Sequence, residues 1–152
     1  MVKWDRLLAA SHIVVGMRAR RSFDALRELV DVLAADHGVS DPKDFLARLI
    51  RREKQLSSGI GKGVAVPHLH DDSTARQLLA IGISPEGIPF GAPDGEPVQI
   101  VALLTTPQKH HQQHMELLAA LSRLLQQEEA RRALISAPDA AAVQAVFRGS
   151  GP

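Results

Sequence analysis

His68 stands at the end of Gly59-Ile60-Gly61-Lys62-Gly63-Val64-Ala65-Val66-Pro67, where three glycines and a short apolar run deliver one imidazole. The unperturbed pKa of a histidine is about 6.5, so near pH 7 one ring nitrogen carries a free lone pair. That nitrogen can take up a phosphoryl group without a metal. A second group, His110, His111 and His114, lies in QKHHQQHMELLAALSRLL. His114 is one helical turn from both of the others. It opens an apolar helical segment, where unpaired backbone N–H groups favour anions. Arg51 and Arg52 offer guanidinium groups that can pair with a phosphoryl group. Each feature also has a plainer reading. His68 can be a hydrogen-bonding loop residue, His110 and His111 an exposed polar loop, and the arginines a solvated helix end. His68, His70, His110 and His114 could instead supply three or four nitrogens to a metal, although no HExxH context surrounds them.

The glycine spacing, G-x-G-x-G, is neither the dinucleotide fingerprint nor a Walker A loop. A cradle for an anion and a tight turn into a strand both remain open. Glycine permits positive φ and close approach of another backbone. Pro67 restrains Val66 to extended geometry and removes a ladder donor, so the strand is expected to stop there. His68 is then expected just past a strand end, a common location for functional groups in α/β sheets.

The elements that must position these residues follow from patterning. Trp4–Ala10 reads as a short helix or turn, and His12–Ala19 as a strand rich in β-branched residues. Ser22 is placed to cap a helix through Phe23, Leu26, Leu29, Val30 and Leu33, ended by Gly38. Asp41 caps the next helix, with Pro42 at its first position. Ser57–Gly63 reads as a loop and Val64–Val66 as a strand. Leu78–Ser84 and Val98–Thr105 read as two more, with a hairpin near Gly87–Phe90. Helices are expected from Met115 to Leu125, from Glu128 to Ile135 and from Ala140 to Phe147. Residues 149–152 read as a frayed tail. A mixed β-sheet flanked by helices on both sides, in a single α/β domain spanning 1–152, accommodates these pieces.

Composition narrows the chemistry. The chain has 152 residues, 45% hydrophobic, enough to bury a core. Eighteen basic and 17 acidic side chains leave a net charge of +1, which argues against a general nucleic-acid binder. No cysteine is present, which excludes disulfides and thiolate chemistry. No signal-like N-terminus and no membrane-length apolar run is seen, so a soluble, cytoplasmic protein is expected.

The run REKQLSSGIGKGVAVPH (Arg52–His68) resembles the signature of phosphotransferase system EIIA domains of the fructose/mannitol type. Their stand-alone nitrogen-regulatory relatives (PtsN, or EIIA-Ntr) share it. GIPFGAPDGEPVQIVALLTTP (Gly87–Pro107) and HMELLAALSRLL (His114–Leu125) agree with the same family. The resemblance implies an α/β sandwich in which His68 is phosphorylated by a phosphohistidine of the carrier HPr or its nitrogen-branch counterpart NPr. It implies that Arg52 and His114 flank the phosphoryl group. It needs no cofactor and no metal, and describes a phosphocarrier rather than a turnover enzyme. EIIB or regulatory target proteins are possible further partners, with no nucleic acid and no membrane insertion. No fused membrane or EIIB domain is expected with 152 residues, and a regulatory role is therefore expected over a sugar-specific one. An interaction domain without phosphotransfer is the rival. One departure is visible: the family usually has a small residue after Pro-His, whereas Leu69 and His70 follow here, which could narrow the rim of the site.

Overall fold

The computed structural model describes residues 2–149. Of the expected frayed tail, residues 150–152 lie outside the described residues. The organising element is a pair of long apolar strands. β5 (Leu78–Ile88) and β6 (Val98–Thr106) run antiparallel, from Leu78 opposite Thr105 to Ile88 opposite Val98. Leu78–Ser84 of β5 and all but one residue of β6 are buried, as expected of strands covered on two faces. β1 (Ile13–Val15) adds in parallel to β5. The other edge of β6 carries two short parallel strands in succession, β3 (Val64–Ala65) and β4 (His68–His70). β2 (Gly59–Gly61) pairs antiparallel with β3.

Alternation along the strands sends side chains into two cores. Ile81, Ile83, Ile100, Ala102 and Leu104 face one side, where they meet α4 (His111–Gln126), α5 (Glu128–Ile135), α6 (Ala140–Arg148) and the short α1 (Trp4–Leu7). Leu78, Ala80, Val101 and Leu103 face the other, against α2 (Ser22–Ala35) and α3 (Pro42–Gln55). The expected mixed sheet with helices on both sides is the fold observed. A fully buried leucine of this kind contributes about 1.5–3 kcal/mol of burial free energy.

Several local expectations are corrected. Ser22 is the first helical residue of α2. Arg21, extended and without a side-chain cap bond, occupies the cap position. The chain before α2 is held instead by Glu28, whose carboxylate accepts from the N–H groups of Arg18 and Ala19. Gly38 is not the left-handed residue that ends α2; His37 is, at φ 55°, while the Gly38 N–H donates to the Leu33 carbonyl. By contrast, Asp41 does cap α3, accepting from the Asp44 N–H at 3.2 Å. The strand expected over His12–Ala19 is only three residues, because Gly16 turns at φ 80°. β5 runs on to Ile88, so the hairpin connection is residues 89–97 rather than a turn at Gly87–Phe90.

The glycine run is not a loop. It forms the β2–β3 hairpin, turning through Gly61, Lys62 and Gly63, all at positive φ. A Cβ on Gly59 would lie 2.8 Å from the Ala92 Cβ, so the glycine permits close packing of that neighbour. The Gly59 N–H donates to Ser57 Oγ and the Lys62 N–H to Asp94 Oδ2. These two donors serve the hairpin and its neighbouring loop.

Candidate functional site

His68 lies past the end of β3, which stops at Ala65 ahead of Pro67 as expected, and it also opens a new strand, β4. Pro67 cannot donate, yet its carbonyl still accepts from the Leu104 N–H at 3.0 Å. The long partner strand β6 therefore carries pairing past the proline, to His68 opposite Leu104 and His70 opposite Thr106. Alternation on β4 then decides three side chains at once. Leu69 is 7% exposed and joins the core under α2 and α3. His68 and His70 project to the opposite face, toward α4. The residue after Pro-His therefore fills the core and does not narrow the rim.

The His68 ring is oriented by its own backbone. Its Nδ1 lies 2.8 Å from the Val66 carbonyl, an acceptor, so Nδ1 carries the proton and Nε2 the lone pair. Arg52, in the last turn of α3, brings a terminal guanidinium nitrogen to 3.4 Å from that Nε2. One turn earlier Arg48 bonds Asp44 at 2.9 Å and also engages Asp71 and Ser73. These contacts tie α3 to the segment that follows β4. Glu53 steadies the other side by accepting from the Ser58 N–H at 2.9 Å.

His114 is the fourth residue of α4, 4% exposed, with its ring centroid 5.6 Å from that of His68. Its Nδ1 lies 2.8 Å from Thr106 Oγ1. Gln77 Nε2 donates to the same hydroxyl at 3.0 Å and to the Gln113 carbonyl at 3.3 Å. The hydroxyl accepts from Gln77, and among the described residues His114 Nδ1 is the acceptor within reach of its own proton, so it donates there. The neutral ring then keeps its N–H at Nε2. Thr106 was not singled out from the sequence. Its signal is a pair of hydroxyls, Thr105 and Thr106, closing an otherwise apolar strand; both are fully buried.

Electrostatics keep both rings neutral. Burial holds the His68 imidazole below its ordinary range, opposed by the bond to Val66 and reinforced by the Arg52 charge and His70. Burial also pushes His114 down to about 4, helped by His70, His68, His111 and Arg52. The site thus combines a nucleophilic nitrogen, an adjacent guanidinium and a neutral imidazole with a free N–H. Such a set can accept an anionic electrophile and stabilise its charge.

The remaining histidines divide. His70 and His111 join the same surface, with ring centroids 5.3 Å apart. His110, weighed with His68, His70 and His114 as a metal ligand, ends the 3-10 turn before α4. Among the described residues no group of three or more histidine or acidic side chains has the arrangement of a metal site. Beside His68 a cleft of about 520 Å³ opens, lined by Arg52, Leu56, Ile60, Pro67 and Leu118 among others. Leu56 and Ile60 are 79% and 54% exposed, an apolar rim of the sort that receives a protein partner. Among the described residues no helix is long and apolar enough to cross a membrane.

Residues 6–149 match the family model described as the phosphoenolpyruvate-dependent sugar phosphotransferase system, EIIA 2. The chain belongs to the EIIA 2 family. This EIIA chain is 35% identical over 124 residues to a "PTS system fructose-specific EIIA component" of Haloferax volcanii, covering 81% of this chain and 80% of that one. It is 30% identical over 136 residues to the "PTS system fructose-specific EIIABC component" of Bacillus subtilis. That match takes in 90% of this EIIA chain but only 21% of that relative's length. In three dimensions it is similar to the nitrogen regulatory protein IIA-Ntr of Neisseria meningitidis. The TM-score is 0.86 at 30% identity, over 93% of this chain and 97% of that one.

Proposed function

We propose that this EIIA chain is a single-domain phosphoryl carrier that accepts phosphate from a phosphohistidine of HPr or NPr onto Nε2 of His68. The observation that supports this most directly is the His68 tautomer: Nδ1–H is committed to Val66, which leaves Nε2 free beside Arg52. The Nε2 lone pair attacks phosphorus in line. A new nitrogen–phosphorus bond forms as the donor's breaks, and the donor imidazole leaves with the electron pair. The phosphorylated His68 ring keeps its Nδ1 proton, and the Val66 carbonyl stabilises the positive charge that the ring then carries. Arg52 and the Nε2–H of His114 serve the three equatorial oxygens. One nitrogen–phosphorus bond replaces another, so transfer is close to balanced and can run both ways.

The finer role we propose is regulatory and cytoplasmic. The near-complete overlap with a solved nitrogen-regulatory IIA protein favours it. Phosphorylation adds about two negative charges. On His68 they would stand beside the apolar rim of Leu56 and Ile60 and alter which target proteins dock there. The alternative, a sugar-specific EIIA passing phosphate to an EIIB, is supported by identity to the fructose-specific relatives.

The test incubates wild type and His68→Ala with phosphorylated HPr and with phosphorylated NPr, followed by 31P NMR and acid lability of the product. An acid-labile phosphoimidazole signal on wild type alone is expected. Its absence from wild type with both donors would reject the carrier reading. Transfer onward to a fructose-type EIIB would favour the sugar role over the regulatory one.

A further inference from the structure

His70 has no part in the transfer chemistry just described, yet it is the most constrained histidine near it. Its Nδ1 lies 3.2 Å from the Thr106 carbonyl. That carbonyl can only accept, so the His70 proton is on Nδ1 and the lone pair on Nε2. His111 Nδ1 lies 3.3 Å from that Nε2 and donates to it. With both ring nitrogens engaged, the plane of His70 is set. This ring then lies flat on His114, with centroids 4.3 Å apart and 10° between planes. Thr106 therefore acts on two imidazoles: its carbonyl holds His70 and its hydroxyl holds His114 at 2.8 Å.

The arrangement solves a mechanical problem. One hydrogen bond at Nδ1 leaves an imidazole able to swing about that contact, and the far nitrogen sweeps through space as it does. A flat partner against the ring face removes that freedom. His70 also lies two residues beyond His68 on the same face of β4. The stack thus references the plane of His114, on α4, to the strand that carries the nucleophile. We infer that His70 is a positioning residue, which by stacking on His114 fixes the direction in which His114 presents its Nε2–H to a phosphoryl group on His68. The inference rests on the roles proposed above for His68 and His114.

The test has two arms. Single-turnover phosphoryl uptake from phosphorylated HPr is measured for wild type, His70→Ala, His70→Phe, His114→Ala and the His70→Ala/His114→Ala double variant. In parallel, 1H–15N ring correlations of His114 are recorded on the unphosphorylated proteins. His70→Ala is expected to slow uptake about tenfold, since small misplacements of a transition-state contact carry costs of this order or more. His70→Phe keeps a flat ring without nitrogens and is expected to recover to within about threefold of wild type. The double variant should be no slower than His114→Ala alone, because His70 acts only through His114. In His70→Ala the His114 ring signals should lose their single-tautomer pattern. In His70→Phe they should keep it.

Wild-type uptake by His70→Ala, a His70→Phe variant as slow as His70→Ala, or additive losses in the double variant would each overturn the inference. Should His70→Ala fail to fold, the rate and ring signals of His70→Phe decide alone. If wild type takes up no phosphate, the carrier reading fails. His114 signals unchanged in His70→Ala would then still refute the positioning role by itself.

Discussion

Acid should destabilise this protein through His114, by an amount that its surroundings allow to be worked out. The perturbation is a fall from pH 7 to pH 4, with His114→Gln as reference. The folded pKa of His114 is lowered from 6.5 to about 4, mainly by burial and then by His70, His68, His111 and Arg52. Below pH 6.5 the unfolded chain binds a proton at this site while the folded chain does not. Stability is therefore lost as pH falls through the window from 6.5 to about 4, and is insensitive to this group above it. At about 1.36 kcal/mol for each pH unit, that gap sets a ceiling of ~3 kcal/mol. Arg52 and His111 are exposed, so solvent screens part of their effect, and we expect on the order of 2 kcal/mol. Urea unfolding at half-unit pH steps measures it, as the difference between wild type and His114→Gln. That difference should shift against wild type by this amount between pH 7 and pH 4. A difference that stays flat, or an NMR titration of His114 near 6.5, would refute the account of a buried, neutral ring.

Three further outcomes follow from the geometry. Arg52→Ala should slow phosphoryl uptake by about tenfold to a hundredfold, because it removes a charge beside Nε2 of His68. Its unfolding free energy should change by no more than about 0.5 kcal/mol, since the side chain is exposed; a large loss in urea unfolding would make Arg52 structural. Thr106→Val, close in shape, removes the hydroxyl between Gln77 and His114. It should cost about 1–2 kcal/mol in unfolding and let 15N NMR detect a mixture of His114 tautomers; a single unchanged tautomer contradicts the assignment. Leu69→Ala should cost about 2–3 kcal/mol through the cavity left in the core. Its uptake rate should stay within about threefold of wild type, and a severe loss of rate in the folded protein would return Leu69 to the rim of the site.

The part of this protein that is legible without coordinates is the part encoded by near neighbours. Two-sided apolar runs at Leu78–Ser84 and Val98–Thr105 announce buried strands, because strands covered on both faces lose their alternation. Asp41-Pro42 announces a helix start through the geometry of its first turn. Arg52, His68 and His114 are legible as residue types able to hold a phosphoryl group. Local signals fall short where a distant partner decides. Pro67 rightly signals the end of β3, yet it gives no sign that β6 extends beyond and takes up His68–His70 as a new strand. Ser22 suits a cap position, yet it is the first helical residue, and the chain ahead of it is bound by Glu28 from within the helix.

By its own sequence the chain determined which side chains are available and the periodicity that turns each segment inward or outward, since both depend on covalent structure and local backbone preference. Only the tertiary structure decided that α3, β4 and α4 converge. They bring Arg52 within 3.4 Å of His68 and His114 within 5.6 Å, ring to ring. It also decided that Leu69 belongs to the core, and that Thr106 and His70 hold His114 between them. The physical reason is that these contacts join segments far apart along the chain. Their distances are set by how two helical layers pack on one sheet, and no local pattern carries that information.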